Sequence, residues 1–311
     1  MHEARARVTA VENRRRVALV TAREAQALDE DLPPLADALH HAGLEVAVVP
    51  WDSAHDWSQF DMLLLRSTWD YMSRPAQFLS WAEAASRQSR LVNPLPTVRW
   101  NIDKHYLGTL AAAGVPIVPT CFLEPGVDVA VELARFEGVH ACAEFVIKPA
   151  VGAGSRDAQR HRRGSRQAIE HATRLLHAHR SVLLQPYLER VDAEGEAALV
   201  FFGGEFSHSI RKGPLLQPGA AATGELFAAE SIGARAALAD ELAIARLALA
   251  AIPFAAPLYA RVDLLRDGSG APRVLELELI EPSLFFAHAP GSAARFAACV
   301  RRFLCGSAVS L

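Results

Sequence analysis

The sequence predicts an α/β protein in which a parallel sheet near the amino terminus is followed by two α+β lobes. Short apolar runs alternate with helical segments at the start of the chain, which is typical of βαβ units and a parallel sheet. Later runs are paired around glycine turns, as in antiparallel hairpins. A chain of 311 residues is also long enough for more than one core. The expected segments are a flexible tail at residues 1–14, the parallel-sheet domain at 15–113, a central lobe at 114–192 and a carboxy-terminal lobe at 193–311.

The apolar runs and turn residues place the individual elements. In the first domain we predict strands at residues 15–22, 43–51 and 60–71 and helices near 32–42 and 102–113. In the central lobe we predict strands at 144–149 and 181–188 and a helix near 167–179. In the last lobe we predict strands at 196–202 and 205–213, a helix at 234–252, a hairpin at 258–282 and a final helix at 292–303.

The composition argues against several classes of partner. With 51% apolar residues, 22% charged residues and a net charge of -3, the chain is an ordinary folded protein without the positive field that attracts nucleic acid. Residues 1–16 lack the apolar core of a signal peptide, and no apolar run reaches the ~20 residues that span a bilayer. The four cysteines show no metal-ligand spacing. We expect a cytoplasmic protein with no nucleic-acid or membrane partner; a homodimer stays open.

Lysine is scarce in this chain. Among 32 Lys and Arg residues only three are lysine, namely Lys104, Lys148 and Lys212. A bias towards arginine usually reflects genome composition, so three surviving lysines could be chance. Lysine nevertheless offers a compact point charge where arginine offers a broad planar fork. We therefore take these three positions as candidates for sites that need an ammonium group.

The hairpin at residues 258–282 sorts its side chains onto two faces, because side chains alternate along a strand. Its apolar face is predicted to contain Val262, Leu264, Leu275, Leu277 and Leu279. Asp263, Glu276 and Glu278 must then converge on the other face, with Arg261 nearby, since a slip of one residue would bury the carboxylates. Three carboxylates with room for water suit Mg²⁺, with Mn²⁺ as the alternative. The competing interpretation is a surface hairpin whose acids are solvated or paired with Arg261.

A glycine-rich loop follows the predicted strand at 144–149. The strand ends by presenting Lys148, and the segment from Gly152 through Gly154 to Ser155 gives a backbone that can approach phosphate groups closely. The loop is not a Walker motif, since no GxxxxGK[ST] pattern occurs. It is also not a dinucleotide fingerprint, because Asp157 stands where the third glycine would be.

The order of these motifs resembles the ATP-grasp superfamily, with a layout similar to glutathione synthetase and D-alanine–D-alanine ligase. The resemblance covers about residues 15–305 and implies ATP and Mg²⁺ as cofactors. Its motifs are Asp103-Lys104, Ile147-Lys148, the loop at 152–155, the segment at 185–188, Asp263 and Glu276-x-Glu278. One departure is Glu278, which stands where the family usually has asparagine and leaves the number of metal ions open.

The resemblance also implies roles for individual residues. Lys104 and Lys148 match the two lysines that hold the nucleotide phosphates, and the glycine loop closes over them. The metal ligands match Asp263, Glu276 and Glu278, and Arg211 matches an arginine near the transferred phosphate. Lys212 follows it on the other strand face, with a less defined catalytic role. The predicted adenine and ribose pocket is formed by Gln185, Tyr187, Leu188, Glu189 and Glu196.

A narrower set of segments resembles the ATP-grasp enzymes of the cycloserine pathway, the O-ureido-D-serine cyclo-ligases. These segments are residues 66–71, 100–104, 114–116, 207–212 and 278–283. On this resemblance the substrate-binding residues are predicted to be Thr68, Trp69, Asp70, Tyr71, Glu281 and Ser283.

The predicted function is an ATP-dependent carboxylate-amine ligase that forms an amide-type C–N bond through an acyl phosphate and takes small-molecule substrates. Two alternatives stay open: a cyclo-ligase that joins two groups of one molecule, and a small-molecule kinase on the same fold. A nucleotide-binding protein without catalysis is disfavoured by the presence of both phosphate-binding lysines and all three carboxylates.

Overall fold

The structure is a computed structural model that describes residues 14–216 and 231–306. The first domain contains a parallel sheet of order β2–β1–β3–β4, which confirms the predicted fold class. Its strands are β1 (Arg16–Thr21), β2 (Glu45–Pro50), β3 (Met62–Leu65) and β4 (Leu91–Val92). Its helices are α1 (Leu32–His41), α2 (Pro75–Ser86), α3 (Leu95–Asn101) and α4 (Tyr106–Ala112).

The helix predicted near residues 102–113 begins later in the structure, as α4, and the separate helix α3 precedes it. Helix α3 begins at Leu95. Pro96 fits in its first turn because the N–H group that proline lacks would have no helical partner at that position. A turn at residues 102–105 then separates α3 from α4. Lys104 lies in this turn, and its backbone N–H donates to the carbonyl of Ala150 in the central lobe at 2.9 Å.

The central lobe is built on an antiparallel sheet of order β5–β8–β6–β7. The strands are β5 (Cys121–Leu123), β6 (Glu144–Pro149), β7 (Gln159–Arg162) and β8 (Val182–Pro186), and the helices are α5 (Val129–Val139) and α6 (Arg166–His177). Helix α6 confirms the predicted helix. Helix α5 was not predicted, although Asp128 marks its start by accepting the N–H groups of Ala130 and Val131.

The carboxy-terminal lobe contains an antiparallel sheet of order β11–β10–β9–β12–β13. The strands are β9 (Glu196–Phe202), β10 (Glu205–Lys212), β11 (Ile232–Arg235), β12 (Tyr259–Arg266) and β13 (Pro272–Glu278). The helices are α7 (Val191–Glu194), α8 (Ala239–Ala250) and α9 (Ser292–Leu304). The hairpin of β9 and β10 turns at Gly203-Gly204, both with positive φ, as predicted. Helix α8 starts later than predicted because β11 takes up residues 232–235.

The strands of each sheet all come from a single predicted segment, residues 15–113, 114–192 or 193–311. We propose that these three segments are the lobes of the protein. Helix α9, however, packs on α1 and carries Phe296 and Val300 into a core shared with the parallel sheet. No helix within the described residues is long and apolar enough to cross a membrane.

A β-bulge changes the predicted faces of the late hairpin. Asp263 pairs with Glu276, but the next residue of β12, Leu264, pairs with Val274, so Leu275 is the extra residue. Val274 therefore takes the core position opposite Leu264, while Leu275 lines the cavity described below. The prediction that Leu275 lies on the apolar face was wrong, because simple alternation cannot foresee an inserted residue.

Two asparagines attach the first domain to the carboxy-terminal lobe. The Asn93 side-chain amide donates to the carbonyls of Tyr259 and Leu279 and accepts the N–H of Leu258. The Asn101 amide donates to the carbonyl of Leu277 and accepts the N–H of Leu279. The Asn101 bonds satisfy backbone groups at the end of β13, the edge strand of its sheet, and the Asn93 bonds satisfy groups at the start of β12 and just after β13.

We expect Asn93→Ala to lower the free energy of unfolding by about 3 kcal/mol, because it leaves three buried backbone groups without partners. Urea unfolding at neutral pH measures this change. Gln88→Ala, at an exposed position of the same domain, should stay within about 0.5 kcal/mol of the wild type. Equal losses in the two variants would contradict the assigned role of Asn93.

The buried pair His161 and His171 predicts a loss of stability in acid. Burial, with His161 and Arg174 nearby, lowers the pKa of His171 to about 4. The unfolded chain, with a pKa near 6.5, binds more protons between these values, so stability is complete above about pH 6.5 and is lost as the pH falls towards 4. We expect His171→Gln to flatten the dependence of unfolding free energy on pH between 7 and 5. The exposed His177→Gln should keep the wild-type dependence.

Candidate active site

A cavity of about 400 Å³ lies where the three lobes meet. It is lined by most of the residues predicted for the site: Trp69, Tyr71, Lys104, Lys148, Gly152, Gly154, Ser155, Gln185, Tyr187, Leu188, Glu196, Lys212, Asp263, Glu276, Glu278, Glu281 and Ser283. Four predicted residues do not line it: Thr68, Asp70, Glu189 and Arg211.

Two lysines from different lobes converge on one carboxylate. Lys148 ends strand β6 and its Nζ lies 2.6 Å from Oε1 of Glu276 on β13. Lys104 reaches the same carboxylate from the first domain, with its Nζ 3.9 Å from Oε2. It also donates to the carbonyl of Gly152 at 2.6 Å, so it contacts the start of the glycine loop.

A second group of charges surrounds Asp263 on strand β12. The Arg261 guanidinium donates to both carboxylate oxygens of Asp263, at 2.8 and 2.9 Å, and also contacts Glu278. Lys212 Nζ lies 2.8 Å from Oδ2 of Asp263 and also contacts Glu196. The three carboxylates of the hairpin thus lie on one face, as alternation of the strand predicts, and each is in contact with a cation.

Burial and the nearby charges lower the pKa of some carboxylates in the cavity and raise the pKa of others. Burial favours the neutral acid, but Lys104 and Lys148 hold the pKa of Glu276 at about 2. Burial likewise opposes ionisation of Asp263, whose pKa is kept well below its usual range by Arg261 and Lys212. Burial raises the pKa of Glu278 despite Arg261, and burial with the nearby Glu278 raises the pKa of Glu281 to about 8. The cavity therefore holds more buried carboxylate than its own cations neutralise.

The glycine loop is positioned by backbone conformation and by one arginine. Gly154 and Ser155 both have positive φ, near 60°, which glycine adopts without strain and serine rarely adopts. Arg180, which precedes β8, donates to Oδ2 of Asp157 at 2.6 Å and lies within 3.4 Å of the Val151 carbonyl. The loop is thus fixed at both of its ends beside the cavity.

An apolar wall faces the segment predicted to bind adenine. Gln185 is buried and donates through its amide to the Thr120 hydroxyl at 2.9 Å. Val118, Val146, Leu265 and Leu275 line the same cavity and were not predicted as site residues. Leu265 could have been found from the sequence, because it shares the alternation of Arg261 and Asp263.

One wall of the cavity contains Trp69, Tyr71, Glu281 and Ser283, which come from two segments, residues 66–71 and 281–283, that are far apart in sequence. The Tyr71 hydroxyl donates to Oε1 of Glu281 at 2.8 Å, and the Trp69 indole N–H donates to the Glu281 carbonyl at 3.1 Å. Arg66 donates to the Pro282 carbonyl at 2.8 Å, and Arg261 donates to the Ser283 carbonyl at 3.1 Å.

The four remaining predicted residues have other surroundings. Arg211 lies on the opposite face of β10 from Lys212, and its guanidinium donates to the carbonyls of Ala193 and Glu194 at the end of α7. Its place beside the transferred phosphate is therefore not supported, because the side chain is directed away from the cavity. Asp70 accepts the Trp51 indole N–H at 2.7 Å and pairs with Arg74, so it packs within the first domain. Thr68 is buried and Glu189 is exposed.

Sequence reasoning missed Asp31 and gave His208 no defined role. The Asp31 carboxylate accepts the N–H groups of three consecutive residues, at 2.5, 3.0 and 2.8 Å. These are Leu284, Phe285 and Phe286. His208 is buried, and its Nε2–H donates to the Leu284 carbonyl at 2.7 Å. The only sequence signal for Asp31 was its place after β1, at the carboxyl edge of a parallel sheet.

Comparisons with known proteins agree with this architecture. The family model for the amino-terminal domain of D-cycloserine synthetase DcsG matches residues 17–93. The cycloserine biosynthesis protein DcsG of Streptomyces lavendulae is 42% identical over 289 residues, covering 90% of this chain and 96% of that protein. The crystal structure of D-cycloserine synthetase DcsG superposes with a TM-score of 0.88 at 39% identity, covering 93% of this chain and 99% of that one. D-alanine–D-alanine ligase from Bacillus anthracis shares the fold, with a TM-score of 0.67 at 14% identity, covering 94% and 97% of the two chains.

The fold and the comparisons define an ATP-grasp ligase, an ATP-dependent enzyme that forms C–N bonds. Within that class the chain belongs to the D-cycloserine synthetase DcsG family. The prediction of an ATP-dependent ligase and its resemblance to the ATP-grasp enzymes of the cycloserine pathway are thereby confirmed.

The donors on β12 and β13 fit a divalent metal ion. Asp263, Glu276 and Glu278 offer the hard oxygen ligands that such ions prefer, and all three line the cavity from one face of the hairpin. Within residues 14–216 and 231–306, no three acidic, imidazole or thiol groups are by themselves arranged to hold a metal ion. Phosphate oxygens and water would therefore complete the ligand set.

We expect Lys148→Ala to weaken ATP binding and to lower turnover by about 100-fold, because it removes a cation at the end of the glycine loop. Calorimetry with ATP and Mg²⁺, and ADP release, measure the two effects. Arg166→Ala removes the same charge from an exposed site on α6 and should change neither. Unchanged nucleotide affinity in a folded Lys148→Ala protein would refute the assignment.

Proposed function

We propose that this ligase closes a ring within one amino-acid substrate, as in the formation of cycloserine. In cycloserine the carboxyl carbon is bonded to a nitrogen that is attached to the side-chain oxygen of the same molecule. The observation that carries the proposal is the wall formed by residues 66–71 and 281–283, joined by hydrogen bonds from Arg66, Trp69 and Tyr71. These are the segments whose sequence resembles the cycloserine enzymes, and they face the carboxylates and lysines across the cavity.

On this proposal ATP lies between the central and carboxy-terminal lobes. Its adenine packs against the apolar wall that includes Val146 and Leu275, near Gln185, and its phosphates are bound by Lys104, Lys148 and the glycine loop. These cations offset the phosphate charge, and the loop excludes water from the acyl phosphate. Mg²⁺ bound by Asp263, Glu276 and Glu278 would neutralise the phosphate oxygens and hold them in place.

The reaction proceeds in two steps. A carboxylate oxygen of the substrate attacks the γ-phosphorus, the bond to the bridging oxygen breaks, and ADP leaves. The nitrogen on the side chain of the same molecule then attacks the acyl carbon, loses its proton, and phosphate leaves with the former carboxylate oxygen. Lys212 and Arg261 are on the cavity side of their strands and are the cations available beside the leaving phosphate. This role replaces the one predicted for Arg211.

Ring closure has an entropic advantage, because the nucleophile is tethered to the activated group and needs no separate binding event. The two alternative functions, intermolecular ligation and phosphorylation, differ from ring closure in their substrates or products. Joining two molecules requires a second amine substrate in the same cavity, and a kinase would release a stable phosphate ester without forming a C–N bond.

We expect ADP release from a single substrate, O-ureido-D-serine or another D-serine derivative with an N–H nitrogen bonded to its side-chain oxygen, without any added amine. Hydroxylamine added during turnover should trap the acyl phosphate as a hydroxamate, and mass spectrometry should find the cyclised product. A strict requirement for a second amine would exclude ring closure and favour intermolecular ligation. A stable phosphorylated product without hydroxamate would favour the kinase.

A further inference from the structure

The loop that follows β1 brings an unusual carboxylate to the cavity. Asp29 lines the cavity and is only 5% exposed. Its Oδ1 accepts the N–H of Asp31 at 2.9 Å. Its Oδ2 is buried and forms no hydrogen bond among the residues that the structure describes, while the nearby Arg66 and Ser67 offset part of the pKa increase that burial causes. A buried carboxylate oxygen without a hydrogen bond is unfavourable, and a ligand that donates a hydrogen bond would satisfy it.

The surrounding contacts hold Asp29 in this position. Asp31, two residues later, is bonded to the backbone of residues 284–286 and so ties the loop to the wall that contains Glu281 and Ser283. Arg66 is the cation that offsets part of the increase that burial causes in the pKa of Asp29. Its guanidinium donates a hydrogen bond to the Pro282 carbonyl and lies 3.9 Å from the carboxylate of Asp31. Asp29 is therefore presented to the cavity by neighbours that are themselves fixed.

The charges of the cavity indicate what Asp29 can bind. The substrate carboxylate must lie towards Lys104 and Lys148, where the phosphates are proposed to bind. The reacting nitrogen must be uncharged to attack, so it offers no positive charge to pair with Asp29. The α-ammonium group is the remaining polar group of an amino acid, and it supplies both a positive charge and hydrogen-bond donors. Burial raises the pKa of Asp29, and a bound ammonium group would offset that effect.

We propose that Asp29 binds the α-ammonium group of the substrate and makes the enzyme selective for amino acids with a free amino group. This inference rests on the proposed function for the direction of the substrate in the cavity. It assigns Asp29 to substrate binding and not to the transfer of phosphate or protons.

The test compares two rings that differ only in the amino group, D-cycloserine and isoxazolidin-3-one, by calorimetry in the presence of ADP and Mg²⁺. The wild type should bind D-cycloserine about 100-fold more tightly, since loss of one member of a buried charge pair has an effect of this size. Asp29→Asn should reduce the difference to less than about fivefold, because the amide keeps the shape and loses the charge. Glu24→Gln, which removes the same charge from an exposed position of the same loop, should keep the wild-type preference.

Equal ADP affinity in all three proteins would establish that the nucleotide site is intact. An Asp29→Asn protein that binds ADP normally and still prefers D-cycloserine by about 100-fold would overturn the inference. A wild type with no preference between the two rings would overturn it as well.

A second assay measures ADP release with D-amino acids and with their N-acetyl derivatives. It distinguishes failure of the proposed ring closure from failure of the inference about Asp29. If the wild type uses a free amino acid without forming a ring, the proposed function fails but the inference is still tested. The inference would be supported if the wild type discriminates against the N-acetyl form and the Asp29→Asn protein does not. Equal use of both forms by the wild type, or retained discrimination in the variant, would refute it.

Discussion

Neutralisation of the buried carboxylates on β12 and β13 is the constraint on which the rest of the structure depends. Glu276 is contacted by Lys104 from the first domain and by Lys148 from the central lobe, while Arg261 and Lys212 of its own lobe neutralise Asp263. Removing charges from water is unfavourable, so such pairs contribute little net stability. Removing one partner is far more damaging, at about 3–5 kcal/mol, because it leaves a buried charge. The three lobes must therefore meet at this point for Glu276, Lys104 and Lys148 to be buried as charged groups.

The backbone that carries these carboxylates is held equally firmly. Strand β13 is at the edge of its sheet, yet Asn101 bonds the carbonyl of Leu277, and the Tyr106 hydroxyl accepts the N–H of the same residue. At the other end of the strand, Val274 exchanges hydrogen bonds with Pro116 and Val118. An edge strand covered in this way cannot pair with another chain, and its side chains keep a fixed direction. Fixed carboxylates are what a site needs if metal and phosphate are to be bound without rearrangement of the backbone.

The proposed function requires the charge network to exchange partners. Lys148 contacts Glu276 in the structure, and the same ammonium group is proposed to bind nucleotide phosphate. A metal ion at Glu276 would take over the neutralisation of that carboxylate and release the lysine for the phosphate. The ion pair therefore keeps Glu276 ionised and both groups close to the positions that the ligands need, because Lys104 and Lys148 already hold the pKa of Glu276 at about 2.

The sequence by itself determined the parallel and antiparallel sheets and the convergence of Asp263, Glu276 and Glu278, because these follow from local alternation. The common location of Lys104 and Lys148 was implied by the resemblance of their motifs to the ATP-grasp superfamily. Other features depended on contacts between distant segments. The bulge that moves Leu275 into the cavity arises from the pairing of two strands. The direction of Arg211 depends on its bonds to the end of α7. Asp29 and Asp31 belong to no motif, and their place became visible only when the loop after β1 met residues 284–286, some 250 positions later. Alternation predicts which face a side chain takes as long as the strand is regular, whereas only tertiary packing decides where a bulge interrupts it and what lies opposite that face.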